Sequence, residues 1–200
     1  MKSAEESIIS NREINMRVIA GTARRLELKT PAGLDTRPTT DRIKETLFNI
    51  LYGQYEGGAF LDLFAGSGGI GIEALSRGAS KAVFVEHGRE ALSCIRSNLE
   101  HTRLGASAEV LGMDVIRAIH FLDGRPSFRV IFMDPPYDQG LERQVLEALR
   151  TTTLADEQTV IIVEALLNTD FGYLDSLGYE CTREKVYKTN KHVFIRRKED

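Results

Sequence analysis

Between residues 59 and 165 the chain alternates short, nearly all-apolar runs with segments of helical period. The runs are AFLDLFA (59–65), KAVFVE (81–86), AEVLGMD (108–114), RVIFMD (129–134) and TVIIVEA (159–165). A helix through Leu75 follows the first. Leu92, Ile95 and Leu99 share one face of the segment after the second, VIRAIHFL follows the third, and residues near 140–150 follow the fourth. Strands this apolar are covered on both faces, and β-α alternation builds a mostly parallel, doubly wound sheet. Beyond 165 the alternation stops. GYECTREKVYKT (178–189) and KHVFIRRK (191–198) flank Asn190, a residue type that tolerates turns, and predict an antiparallel hairpin closing the sheet's edge. Ahead of the sheet, RVIAG and RRLELKT (17–30) predict a small β-hairpin. TTDRIKETLFNILYG then predicts an amphipathic helix with Ile43, Leu47, Ile50 and Leu51 on its apolar stripe.

The expected organisation is a single α/β domain of Rossmann-like type. Residues 16–53 form its N-terminal hairpin and helix, 54–200 its core, and the polar, acidic stretch 1–15 a disordered extension rather than a signal peptide. Two hundred residues, 42% of them hydrophobic, suffice for one good core. Cys94 and Cys181 lie far apart without CxxC spacing, so they read as free thiols of a reducing cytoplasm. The four histidines lack ligand spacing, which argues against a metal, and no apolar run has the length of a membrane span.

The net charge of −3 conceals a strong asymmetry. Residues 17–44 carry seven Lys/Arg against three acids, residues 183–198 seven against one, and residues 45–182 ten against twenty. Two basic ends flank an acidic body. Binding a phosphate backbone requires clustered positive charge rather than a high total. Arg17, Arg24, Arg25, Lys29 and Arg37, with the helix carrying Arg42 and Lys44, are the first candidates for such contacts. Lys185, Lys188, Lys191 and Arg196 are the second.

The first strand runs into Asp62-Leu63-Phe64-Ala65-Gly66-Ser67-Gly68-Gly69-Ile70-Gly71, so Gly66, Gly68 and Gly71 complete GxGxxG between a strand and a helix. Such a loop lets backbone approach a nucleotide-like ligand, and Glu86, ending the second strand, is placed to accept from ribose hydroxyls. The loop alone fits NAD or S-adenosylmethionine. Asp62 favours the latter, because a carboxylate there would repel a pyrophosphate and attract an ammonium. The candidate cofactor residues are therefore Asp62, Phe64, Ala65, Gly66, Ser67, Gly68 and Glu86. Asp114 joins them either as an acceptor for the adenine amine or as an ordinary helix cap.

The most specific signal is Asp134-Pro135-Pro136-Tyr137 after the fourth strand. Ligands in open α/β sheets sit beyond the carboxyl ends of the strands, so this loop should face the glycine loop. The Asp134 carboxylate and the Pro135 carbonyl can each accept one N–H of an exocyclic base amine. Pro135 and Pro136 stiffen the loop, and Tyr137 offers a face for an extruded base. No metal is needed for this chemistry.

DLFAGSGGIGIEALSRGA, DPPY and TRPTTDRIKETLFNIL (36–51), with MRVIAGTARRLELKTP before the last, resemble the bacterial 16S rRNA guanine-966 N2-methyltransferases over about Met16 to Arg197. The resemblance implies a class I methyltransferase sheet ending in an antiparallel strand. It also implies S-adenosylmethionine at Asp62 to Gly68, Glu86 and Asp114, with catalysis at Asp134 to Tyr137 and S-adenosylhomocysteine as product. The implied partner is 16S rRNA, free or in an assembling small subunit, with no membrane and no obligate protein partner. Since DPPY serves both base amines, an adenine N6-methyltransferase acting on RNA or DNA is the alternative.

Overall fold

The computed structural model describes residues 16–31, 41–137 and 139–198. The expected N-terminal extension and Arg37 lie outside them. Short strands β1 (Met16–Arg17) and β2 (Glu27–Leu28) pair antiparallel ahead of helix α1 (Asp41–Ile50). The core then runs β3 (Ala59–Asp62), α2 (Gly69–Ser76), β4 (Lys81–Glu86), α3 (Arg89–Thr102), β5 (Ala108–Gly112), α4 (Val115–Leu122), β6 (Val130–Met133), α5 (Leu141–Arg150) and β7 (Val160–Leu166). Strands β8 (Tyr179–Val186) and β9 (Asn190–Arg197) complete it.

The seven-stranded sheet has the order β5-β4-β3-β6-β7-β9-β8; the first five strands are parallel, β9 runs antiparallel to β7, and β8 antiparallel to β9. This is the Rossmann-like class I methyltransferase arrangement read from the sequence. Side chains alternate along each strand. Leu61, Val83, Ile131 and Ile161 pack with α4 and α5, whereas Phe60, Ala82, Val130 and Val160 pack with α1, α2 and α3. Because the chain crosses over between β4 and β6 on either side of β3, the loops after β3 and β6 open side by side at the strands' carboxyl ends.

Three details depart from the sequence reading. Asn190 is not in the turn; it opens β9, buried, with its amide donated to the Glu164 carboxylate, and Tyr187–Thr189 make the turn. On α1 the fully buried positions are Lys44, Leu47, Phe48 and then Leu51, while Ile43 and Ile50 are only half-buried. Lys44 therefore does not belong to a phosphate surface. Only 1% exposed, its ammonium donates to the Arg17 carbonyl at 2.5 Å and lies 3.6 Å from Glu73.

The N-terminal hairpin is also no appendage. Glu73 accepts the Ile19 and Ala20 amides at 2.8 and 3.0 Å, and Ser76 accepts that of Ala23 at 2.9 Å. Asn98 accepts the Lys29 amide and donates to the carbonyls of both Lys29 and Ser67. The hairpin is thus tied to α2, α3 and the glycine loop itself.

Candidate active site

The glycine loop is held open by two carboxylates. Gly68 adopts φ +83°, a conformation that a side chain would strain, and a Cβ on Gly71 would lie 2.3 Å from the Phe84 ring. The first allows the turn and the second lets α2 pack against β4. Asp62, 1% exposed, accepts the Gly71 amide at 3.1 Å. Burial raises its carboxyl to about 7, against backbone hydrogen bonds that act the other way. Asp62 thus lies beneath the loop that it anchors rather than on an open surface.

Glu86 accepts Gly66 N–H at 2.9 Å through one oxygen, and His87 and Gly88 N–H at 2.8 and 2.7 Å through the other. It braces the loop from the end of β4. A carboxylate offers about four lone-pair sites, and with three taken one is left for a ligand hydroxyl. Asp114 is the N-cap of α4, with one oxygen accepting from Ile116 and Arg117; it is exposed and its other oxygen remains available. Phe64, Ala65 and Ser67 complete the loop, with Ala65 and Ser67 buried.

The DPPY segment leaves β6 next to this loop. Pro135 is buried, Pro136 exposed, and Tyr137 is 43% exposed. Burial, followed by the nearby Glu164 and Asp62 carboxylates, pushes the Asp134 carboxyl well above the usual range, and burial with Asp134 and Glu164 raises the Tyr137 hydroxyl to about 12. An open pocket is lined by Pro135, Pro136, Tyr137, Glu164, Asn168 and Thr169, among others. The structure thus brings the two sequence motifs to one face, as the topology requires.

The chain matches the family described as Conserved hypothetical protein 95 over residues 16–196. The ribosomal RNA small subunit methyltransferase D of Escherichia coli is 36% identical over 86% of this chain and 84% of its own, and that of Haemophilus influenzae 35% over 77% and 80%. The chain belongs to this methyltransferase D family. A solved Escherichia coli structure, yhhF, described as a candidate methyltransferase, superposes with a TM-score of 0.77 at 32% identity, covering 93% of this chain and 99% of that one. A precorrin-6y C5,15-methyltransferase of Geobacter metallireducens, 17% identical with a TM-score of 0.66 over 86% and 94% of the chains, shares the fold.

For this family member the basic candidates divide. Arg24, Arg25 and Arg42 are exposed without a described side-chain partner, and Arg17, Val18, Ile19, Arg24 and Arg25 line a shallow surface pocket. Arg17 is half-exposed and bonded to Asp41 at 2.8 Å, and Lys29 reaches Ser97 at 3.0 Å. Among the described residues no group of three or more His, Cys, Asp and Glu could hold a metal ion, and no helix is long and apolar enough to cross a membrane.

Sequence reasoning missed Glu164, within β7, with its partners Asn190 and His192. Its signal was a lone acid inside the apolar run TVIIVEALL.

Proposed function

We propose that the protein transfers the methyl group of S-adenosylmethionine to a base amine of small-subunit ribosomal RNA, the N2 of a guanine equivalent to position 966. The names of the relatives support rRNA methylation. The observation that carries the reading is the DPPY loop seated beside a braced glycine loop, its acidic residue partly buried against two further carboxylates.

The loop residues suit the methyl donor. A Cβ on Gly66 would meet open space, so the loop backbone there can be approached closely, Glu86 keeps acceptor capacity for one ribose hydroxyl, and Asp62 supplies negative charge opposite a cation. Bound there, S-adenosylmethionine supplies a methyl group already activated by its sulfonium. The protein's task is to make the amine nucleophilic. An exocyclic amine shares its lone pair with the ring; accepting its two hydrogens at the Asp134 carboxylate and the Pro135 carbonyl favours a pyramidal nitrogen with that pair free. The raised Asp134 carboxyl is a stronger base than an ordinary carboxylate and takes the proton the nitrogen sheds as it gains carbon. Tyr137 stacks on the base, and Arg24, Arg25 and Arg42 hold the backbone.

Incubation with methyl-labelled S-adenosylmethionine and small subunits, 16S rRNA, DNA or protein tests this reading, followed by nucleoside digestion. N2-methylguanosine from the rRNA arms is expected. Label in N6-methyladenosine, or only in DNA or protein, would contradict it.

A further inference from the structure

Glu164 is a buried acid that the mechanism above does not use. Strands β6 and β7 are parallel with Met133 opposite Val163, so Asp134, just past β6, stands beside Glu164 of β7. The Glu164 side chain is 8% exposed yet lines the pocket formed with Pro135, Pro136 and Tyr137. Two donors fix it from behind. Asn190 donates its amide to Oε1, and His192 Nε2, on a fully buried ring, lies 3.0 Å from Oε2. The other ring nitrogen is 3.3 Å from the Tyr187 hydroxyl.

Two acceptor oxygens answer these two partners, Asn190 and His192, and each oxygen keeps a lone pair. A carboxylate beside the carboxylate of Asp134 is nevertheless unfavourable when the pocket is empty. An occupant that presents donors relieves that repulsion. Neighbouring strands lie about 4.8 Å apart, so two carboxylates can each take one of two adjacent donors on a single base edge. Guanine has that edge, with N1–H next to its N2 amine. Adenine and its analogues present a bare N1, which a carboxylate repels.

We propose that Glu164, oriented by Asn190 and His192, accepts the N1–H of the acceptor base and selects guanine over purines that lack this hydrogen. The proposal rests on the reading of the protein as a guanine N2-methyltransferase.

It is tested with small subunits reconstituted on 16S rRNA ligated to carry guanine, 2,6-diaminopurine or 2-aminopurine at the acceptor position. All three offer a 2-amine, and only guanine has N1–H. Wild-type protein should methylate guanine about ten- to a hundredfold faster, the range lost with one hydrogen bond to a charged group. In Glu164→Gln the amide can donate to a bare N1, so guanine should slow, 2,6-diaminopurine should gain relative to it, and the ratio should shrink at least tenfold. Affinity for S-adenosylmethionine serves as the check on folding. Equal wild-type rates on guanine and both analogues would overturn the proposal, and so would a Gln variant that slows guanine and 2,6-diaminopurine in proportion. If Glu164→Gln does not fold, the wild-type comparison decides alone. A wild-type protein that labels no guanine in any arm contradicts the functional reading instead, and Glu164 falls with it.

Discussion

The two basic ends carry seven Lys/Arg each, yet they use them differently. Both reach the face where the parallel strands end, because β9 runs antiparallel to β7 and its turn at Tyr187–Thr189 lies over that edge. In the C-terminal hairpin most of the charge is spent on the fold. Arg197 donates to the carbonyls of Leu149, Arg150 and Thr152, Lys191 is buried beside Glu184 and the Phe171 ring, Arg196 reaches Gln54, and Lys198 pairs with Asp175. In the N-terminal segment Lys44 is consumed in this way, Arg17 pairs with Asp41 and Lys29 reaches Ser97. Among the described residues each end thus keeps three cations without a described side-chain partner, Arg24, Arg25 and Arg42 at one and Arg183, Lys185 and Lys188 at the other, and of these Arg24 and Arg25 line a surface pocket together.

The largest effects should follow from removing charges that the fold has absorbed. Lys44→Ala leaves Glu73 buried with only Arg77, at 2.6 Å, as a described cationic partner. Breaking a buried pair costs about 3–5 kcal/mol, and the remaining Arg77 contact argues for about 3. Denaturant titration should show the midpoint falling at constant slope. Arg197→Ala should cost about 1–3 kcal/mol through the carbonyls it abandons at the end of α5. If either variant kept full stability and instead lost RNA affinity, the contrast between the two ends would collapse.

The same contrast between held and available charge extends to the carboxylates. Asp62 has its carboxyl raised to about 7, so a cationic ligand that favours its ionised form binds more tightly as pH rises through that value. S-adenosylmethionine affinity, measured by calorimetry, should fall about fivefold from pH 7 to pH 6, since about half the groups are ionised at the midpoint and roughly a tenth one pH unit below it. Asp62→Asn should flatten the profile. The linkage to stability has the opposite sense. A raised acid stabilises the fold below its unfolded value and loses that contribution as pH rises through about 7, so the unliganded protein should be less stable at pH 8 than at pH 5 on this account.

Arg24 and Arg25 changed together to Ala should lower RNA affinity about tenfold. The slope of log affinity against log salt should shrink by about 0.7 per lost contact with single-stranded RNA. S-adenosylmethionine affinity should hold, because the links from this segment to the glycine loop run through Met16 and Lys29, not these side chains. The smallest effect belongs to Lys188→Ala at the exposed C-terminal turn, where one contact at most is lost. A larger change in slope there than in the Arg24/Arg25 variant would reverse the order of the two ends.

The legible parts of the sequence were those encoded locally. Apolar runs gave the parallel strands, and Gly66 to Gly71 and Asp134 to Tyr137 located the loops, because strand, turn and helix signals lie within a few residues of one another. What stayed hidden depends on distant partners. Lys44 reads as a surface cation until Glu73, on another helix, is packed against it. Asn190 reads as a turn residue until Glu164 claims its amide. The depth at which Asp62 and Asp134 sit, and hence their raised carboxyls, follows from burial that no local spacing reveals.

The central claim is that Asp134 activates a base amine at a site whose methyl donor is bound by other residues. Single-turnover transfer from saturating labelled S-adenosylmethionine to small-subunit rRNA, compared for wild type, Asp134→Asn and Asp134→Ala, tests it most directly. The account predicts that Ala slows transfer by about 10²–10³, as does loss of one preorganised polar group at a reacting centre, that Asn is milder, and that donor affinity changes far less in both. Wild-type transfer by Asp134→Ala, or a loss explained wholly by weaker donor binding, would contradict it.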